Sequence, residues 1–454
     1  MSLDAIFKAY DVRGLVPDEL DVSVARDLGR ALADWLSEQT PETKDRPVVV
    51  GRDMRADSQE LADALIDGIA QQGRDVIDIG QVATDMIYFA TGHLKAAGGV
   101  VVTASHNPGK YNGMKLCREG AIAIGVDSGL LEIKERIVSS DFKAANTSGS
   151  VSTQDVMDEW VKHALSFVSD ELQPLKIAVD AGNGMAGAVM PYVDEQTPLE
   201  ITRLYFELDG NFPNHEANPM KEDTLADLQQ TVVDEGLDFG IAFDGDGDRM
   251  MLVDEKGDTV SGSVMCGLLS EYFLKLHPRS NILHNAICSR VVPETIKANG
   301  GYPVRTKVGH SYIKAAMREH DAPFGGEHSA HYYFRDNWSA DSGLIAALVA
   351  TGIISRSGKS LSEIVSDLRQ QYVHSGEINL EVDDKQAAME RVSARFSDGE
   401  QDWLDGLTVN YDDWWCNVRP SNTEPLLRVN VEATDEATLV KNRDVICQTI
   451  TNET

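Results

Sequence analysis

Ser105 lies in TASHNPGKYNGMK (103–115), directly after the apolar run GGVVV, and His106, Asn107, Pro108 and several glycines follow it. Loops at the carboxyl ends of strands carry the ligand sites of open α/β sheets. Small residues there let backbone N–H groups come close to an anion. A tight turn capped by Ser and Asn accounts for the same residues. The run DGDGDR (244–249) sets Asp244, Asp246 and Asp248 at alternate positions, with glycines between them and Arg249 at the end. Carboxylates at i, i+2 and i+4 can converge on one hard cation, and glycine lets the chain curl around it. An acidic turn in solvent would not crowd three carboxylates without a counter-charge.

Three later runs add polar groups. KVGHSYIKAAM (307–317) sets Lys307, Gly309, His310 and Ser311 at a helix start, where an anion or hydroxyl can bind, although a Ser cap explains this run alone. GGEHSAHYYF (325–334) packs Glu327, His328, Ser329 and His331 ahead of an aromatic strand. Carboxylate with hydroxyl suits the recognition of sugar OH groups. RPSNTEPLLRV (419–429) brings Arg419, Ser421, Asn422 and Thr423 within five residues, a set that matches a phosphate dianion. An exposed turn explains it as well. Lys8, Arg13, Arg52 and Arg55 add positive charge near the N-terminus, either at a site or as surface charge.

Two other metal readings compete for 244–249. An EF-hand would add Glu255 as its twelfth residue, but its sixth should be Gly and is Arg249, and the flanks DFGIAF and MMLVDE read as strands. An aspartyl-nucleophile phosphatase would follow a strand with D-x-D, but usually carries Thr or Val where Asp248 stands, and leaves the serine loop unexplained.

Elements must hold these loops. PVVVG (47–51), DVIDIG (75–80), GGVVVTA (98–104), LKIAVDAG (175–182) and DFGIAFDG (238–245) read as strands, and 23–39, 58–72 and 221–235 as helices between them. The alternation predicts α/β domains with parallel or mixed sheets. The Ser/Thr/Ala/Gly-rich stretch 139–155 reads as a linker, with further breaks near 256–261 and 372–379. The tail, with a helix near 385–396, three strands and a last helix, is α+β. No internal repeat is evident, although the first three blocks share a strand–helix style.

Composition sets the outer limits. The chain has 454 residues, 42% hydrophobic and 25% charged, with a formal net charge of −32. Such acidity opposes general nucleic-acid binding and makes local positive ground necessary for an anionic substrate. The five cysteines are scattered without C-x-x-C, which opposes a disulfide framework or zinc site and fits a reducing compartment. Asp4, Lys8, Asp11 and Arg13 interrupt any apolar signal peptide. The longest apolar stretch, 343–355, is too short for a bilayer. The expectation is a cytoplasmic protein without a membrane or nucleic-acid partner.

Five motifs in this order, from FKAYDVRG (7–14) to RPSNTEP, resemble the α-D-phosphohexomutase family, specifically its phosphomannomutase/phosphoglucomutase branch. The resemblance covers nearly the whole chain, and the pairing of TASHNP with DGDGDR is highly specific. Phosphoglucosamine mutases open closer to F-G-T-D-G-I-R-G. The resemblance implies three α/β domains with mixed sheets plus a C-terminal α+β domain around a central cleft, at 1–146, 147–256, 257–372 and 373–454. It implies that Ser105 is a phosphoserine and that Asp244, Asp246 and Asp248 hold Mg²⁺ with a phosphoserine oxygen. Glu327 and Ser329 would read sugar hydroxyls, and Arg419, Ser421, Asn422 and Thr423 would hold the phosphate not being transferred. Tyr10, Arg13, Lys115, Lys307, Gly309, His310 and His331 match cleft positions, with Lys115, His310 and His331 as proton-transfer candidates beside Arg249.

The implied activity interconverts mannose 6-phosphate and mannose 1-phosphate through a hexose 1,6-bisphosphate, in a monomer or homodimer, with glucose phosphates as further substrates. Phosphoglucomutase is the nearest alternative; phosphoglucosamine mutase, a metal-dependent phosphatase and a Ca²⁺-binding module are more remote. One departure stands out. Many members read G-E-M-S-G-H where this chain has Gly326-Glu327-His328-Ser329-Ala330-His331, which bears on mannose against glucose and not on the reaction type.

Overall fold

Runs of β-branched residues form buried strands, and the amphipathic stretches between them form the covering helices, because each can leave water only against the other. The computed structural model describes residues 3–143, 145–168, 172–421 and 426–451. Helix Val22–Gln39 shows the local logic. Asp21 caps it by accepting from Ser23 N and Val24 N, and Ala25, Leu28, Leu32, Trp35 and Leu36 form its buried stripe. Each such Leu contributes roughly 1.5–3 kcal/mol on burial.

Four sheets follow one another along the chain. In the first, Val48–Arg52 lies parallel to Val76–Gln81 and to Gly98–Val102, and Tyr111–Arg118 returns antiparallel to Gly98–Val102. In the second, Lys176–Asp180 is parallel to Glu200–Leu204 and Phe239–Phe243, and Met250–Asp254 returns antiparallel. The third repeats this with Asn281–Asn285, Tyr302–Thr306 and Phe324–Gly326 parallel and Tyr332–Phe334 returning. The motif loops 103–110, 244–249 and 327–331 therefore occupy one topological place, where the last parallel strand turns back. That shared plan is a repeat the residues themselves do not display.

The fourth sheet is wholly antiparallel, in the order Val373–Glu381, Leu426–Ala433, Trp414–Pro420, Leu407–Asn410, Glu400–Asp402. Its own core joins Val418, Leu427 and Val429 to Ala388 and Val392 of helix Lys385–Arg395 and Ile446 of helix Glu436–Thr451. One large core instead runs through the first three blocks and includes Phe89, Trp160, Phe243 and Leu344.

Three breaks read from composition contain paired backbone. Within 139–155, Val151–Thr153 pairs parallel with the first sheet. Its side chains are all exposed, so no burial pattern marks it. Thr259–Val260 pairs with Met250–Asp254, carrying the second sheet past residue 256. Val373–Glu381 is a full strand inside the 372–379 break. The stretch 221–235 begins as a 3₁₀ turn, Glu222–Leu225, before helix Ala226–Glu235. Among the described residues no single helix is long and apolar enough to cross a membrane; Gly343–Ser357 is largely buried core. All five cysteines are free thiols.

Candidate active site

Ser105 follows strand Gly98–Val102 with φ at 52°, an orientation that turns its side chain toward the second block. Its Oγ donates to Asp244 Oδ2 at 3.0 Å and lies 3.1 Å from His106 Nδ1. Gly245 permits this approach, since a Cβ there would sit 2.6 Å from the Ser105 carbonyl oxygen. Arg55 clamps the serine loop. Its guanidinium donates to the carbonyls of Ser105 (2.7 Å), Asn107 (2.6 Å), Pro108 (3.1 Å) and Tyr111 (2.9 Å), and Nε donates to Asp53 at 3.1 Å. Arg55 is buried and not surface charge. Arg13 joins the same loop by donating to Asn107 Oδ1 at 2.8 Å.

Asp244, Asp246 and Asp248 are all buried, with ligand oxygens within 4.8 Å of one another. The loop folds onto itself, with Gly247 N and Arg249 N donating to Asp244 Oδ1 at 3.1 and 3.2 Å. Thr84 of the first block donates to Asp246 Oδ2 at 2.6 Å. Lys115, on the return strand of the serine loop, donates to Asp246 Oδ2 at 2.7 Å and Asp248 Oδ2 at 2.5 Å. Burial alone would lower its pKa, but the two carboxylates outweigh it and hold it above its ordinary range. Burial, then Asp246 and Asp248, push the Asp244 carboxyl well up. Asp246 Oδ1 and Asp248 Oδ1 have no hydrogen-bond partner among the described residues. Buried, oxygen-only and partly unsatisfied, the triad fits a hard divalent cation. The EF-hand reading does not hold: strands flank the loop, and Glu255 accepts from Ser362 N at 3.1 Å.

The third block meets this centre through His331. Arg249 Nε donates to His331 Nε2 at 3.1 Å, and Ser329 Oγ lies 3.0 Å from Nδ1. A neutral ring accepting at Nε2 carries its proton on Nδ1 and donates it to Ser329. Burial foremost, then Arg249 and Lys115, keep this ring's pKa well below its ordinary value. Glu327 accepts from Asn285 Nδ2 (3.0 Å), Gly309 N (3.0 Å) and the Tyr333 hydroxyl (2.6 Å). His310 opens helix His310–His320 with Nδ1 unpartnered among the described residues, its pKa lowered by burial to about 3. The Tyr10 hydroxyl donates to the Val308 carbonyl at 3.1 Å, while Val308 N donates to Asp405 Oδ2 of the fourth block at 3.0 Å.

Gly309 has φ at 132°, and a Cβ there would meet the Tyr10 hydroxyl at 2.4 Å. Gly309→Ala is therefore expected to destabilise the fold by about 1–3 kcal/mol in urea unfolding. An unchanged midpoint and slope would show that the loop relaxes without cost.

Serine loop, metal loop, Lys115, Arg249, His331, Glu327, Ser329, Gly309, His310 and Tyr10 thus form one contact network. Lys307 stands at its edge, exposed, with Nζ 5.7 Å from the Tyr312 ring centre. Arg419 lies on the fourth block, buried, donating to Glu377 Oε2 at 3.1 Å, and Ser421 N donates to the Leu426 carbonyl at 2.9 Å. Asn422 and Thr423 lie outside the described residues. Thr84, Asn285 and Tyr333 are buried partners that sequence reasoning missed; Thr84 and Asn285 lie 162 and 42 positions from the carboxylates they meet, and Tyr333, six positions from Glu327, reads only as part of an aromatic strand.

Comparison with known proteins gives consistent matches. Models of the phosphoglucomutase/phosphomannomutase alpha/beta/alpha domains I, II and III match residues 4–144, 158–257 and 261–372, and the C-terminal domain model matches 377–448. A "Phosphohexose mutases" protein of Xanthomonas campestris pv. campestris (strain B100) is 43% identical over 446 residues, 98% of each chain. A "Phosphomannomutase" of Salmonella montevideo is 41% identical over 447 residues, 96% of each chain. The crystal structure of a phosphoglucomutase/phosphomannomutase family protein from Burkholderia thailandensis superposes with a TM-score of 0.91 at 34% identity, covering 99% of this chain and 98% of that one.

Proposed function

The chain belongs to the phosphoglucomutase/phosphomannomutase family and is a phosphohexomutase, and on that premise we propose that it interconverts mannose 6-phosphate and mannose 1-phosphate through phospho-Ser105. The observation that carries this reading is Ser105 Oγ, 3.0 Å from Asp244 Oδ2 at the edge of a buried carboxylate triad. Ser105 gives its phosphoryl group to the free hydroxyl of the hexose phosphate. The 1,6-bisphosphate turns within the cleft, and its other phosphate returns to Ser105. Such transfer asks mainly for positioning and charge neutralisation. Asp244, Asp246 and Asp248 would hold Mg²⁺ with a phosphoserine oxygen. The ion would supply positive charge to the transferring oxygens.

Arg249 and Lys115 add fixed positive charge at the same place. His310 has Nδ1 unpartnered among the described residues and can hydrogen-bond the sugar hydroxyl there, although burial leaves its ring a weak base. Lys115, held as an ammonium by two carboxylates, suits stabilisation of charge better than proton removal. Glu327 and Ser329 read sugar hydroxyls, and Tyr10, Arg13, Lys307, Gly309 and His331 line the substrate's path. Arg419, Ser421, Asn422 and Thr423 hold the resting phosphate.

The test is kcat/KM for mannose 1-phosphate and glucose 1-phosphate, with a trace of hexose 1,6-bisphosphate and Mg²⁺. Isomerisation of both is expected, with mannose preferred. A reversed preference would make phosphoglucomutase the main activity, and net phosphate release without isomerisation would sink the mutase reading. Chelation with EDTA is expected to remove at least about 90% of turnover, and added Mg²⁺ to restore it. Full turnover after chelation would remove the ion from the reaction.

A further inference from the structure

Donors of the protein anchor each carboxylate of the metal loop, and they do so unequally. Asp244 accepts at Oδ1 from Gly247 N and Arg249 N of its own loop, and at Oδ2 from Ser105 Oγ. Asp248 Oδ2 accepts from Lys115 Nζ. Asp246 Oδ2 takes two donors, Lys115 Nζ at 2.7 Å and Thr84 Oγ1 at 2.6 Å. The opposite oxygens of Asp246 and Asp248 are buried and have no hydrogen-bond partner among the described residues. A carboxylate tied through one oxygen presents the other to a cation in a fixed direction.

Thr84 has no part in the reaction described above. It is fully buried at the first position of helix Thr84–His93. Its hydroxyl meets the Asp246 carboxylate, and its backbone N–H donates to the Asp246 carbonyl at 2.9 Å. One residue thus holds Asp246 by main chain and side chain together. The two donors on Oδ2 differ in charge. Lys115 neutralises Asp246 and Asp248, but its ammonium repels a cation bound to the same carboxylates. A hydroxyl aligns the carboxylate without setting a like charge beside the ion.

We propose that Thr84 is a positioning residue for the divalent cation, its hydroxyl holding Asp246 Oδ2 so that Oδ1 is left to the ion. The proposal rests on the reading of Asp244, Asp246 and Asp248 as the metal site. Thr84 keeps this alignment when an arriving ion weakens the hold of Lys115. Because Thr84 belongs to the first block and Asp246 to the second, affinity for the ion depends on how the two blocks dock. Ser105 also belongs to the first block, so the docking that brings its Oγ to Asp244 completes the metal site as well.

The experiment measures Mn²⁺ binding to the full chain by electron paramagnetic resonance titration, for the parent, Thr84→Val, Thr84→Ser and Asp246→Asn. Val keeps the shape of Thr and loses the hydroxyl; Ser keeps the hydroxyl and loses the methyl group. Loss of a partner that orients a metal ligand lowers metal affinity about 10–100-fold. Thr84→Val is therefore expected to weaken Mn²⁺ binding at least about tenfold, and Thr84→Ser to stay within about threefold of the parent. Turnover that Thr84→Val loses at low Mg²⁺ should return as Mg²⁺ is raised. Asp246→Asn should weaken Mn²⁺ binding more than Thr84→Val does. Thr84→Ala, which also lacks the hydroxyl, takes the place of Thr84→Val if that variant does not fold, with the same expected loss. A hydroxyl-free variant that binds Mn²⁺ like the parent, beside an impaired Asp246→Asn, overturns the inference and leaves the metal site standing. An Asp246→Asn that binds Mn²⁺ like the parent overturns the metal-site reading, and the inference with it. If Thr84→Ser loses as much Mn²⁺ affinity as Thr84→Val, packing of the methyl group is responsible and the inference fails.

Discussion

Ser105→Ala is expected to lower kcat by at least about 10³-fold while mannose 1-phosphate still binds within a few-fold of its normal affinity. The substitution removes one oxygen, the atom 3.0 Å from Asp244. It leaves the clamp on the loop intact, because Arg55 grips the carbonyls of residues 105, 107, 108 and 111 and not the side chain. The residues proposed to bind substrate on the third and fourth blocks are untouched. Intact-mass spectrometry after incubation with hexose 1,6-bisphosphate should find one added phosphoryl group on the unmodified protein and none on the variant. A variant retaining kcat within tenfold would take Ser105 out of the reaction, whatever the mass spectrum shows.

Lys115→Met is expected to destabilise the metal-free protein by about 3–5 kcal/mol, and much of that loss should return when Mg²⁺ is added. Lys115 is the ammonium bound directly to both Asp246 and Asp248. Methionine fills similar space but leaves the two buried carboxylates without that counter-charge. A divalent cation on the triad would replace it. Urea unfolding in EDTA and in Mg²⁺ separates the two states. Equal stability of variant and parent in EDTA would mean that the carboxylates are compensated elsewhere. Turnover in Mg²⁺ should also fall about 10²-fold or more, since fixed positive charge beside the transferring group is lost.

The motif loops and their flanking strands were legible because both rest on local signals. Apolar β-branched runs such as GGVVV and FGIAF are buried throughout, and glycine–carboxylate alternation is a short-range pattern. Contacts between loops were legible only through family resemblance. Thr84 and Asp246 stand 162 positions apart, and no spacing rule joins them. The residues left Arg55 open between site and surface charge, because burial of an arginine depends on carbonyls brought from residues 105–111. The edge strand Val151–Thr153 escaped for a different reason. It pairs through its backbone with every side chain exposed, so alternation had nothing to mark. The shared turn-back plan of the first three sheets escaped because topology is preserved where residue types are not.

Residue 308 carries one more implication. Tyr10 and Asp405 hold opposite ends of that residue's polar backbone, carbonyl and N–H. The two holds act on different peptide groups joined at one Cα, so they meet through conformation: either hold restricts the backbone torsions that the other needs, and the second forms at a smaller entropic cost than the first. Losing one hold therefore weakens the other, which couples the first and last blocks at a single loop residue.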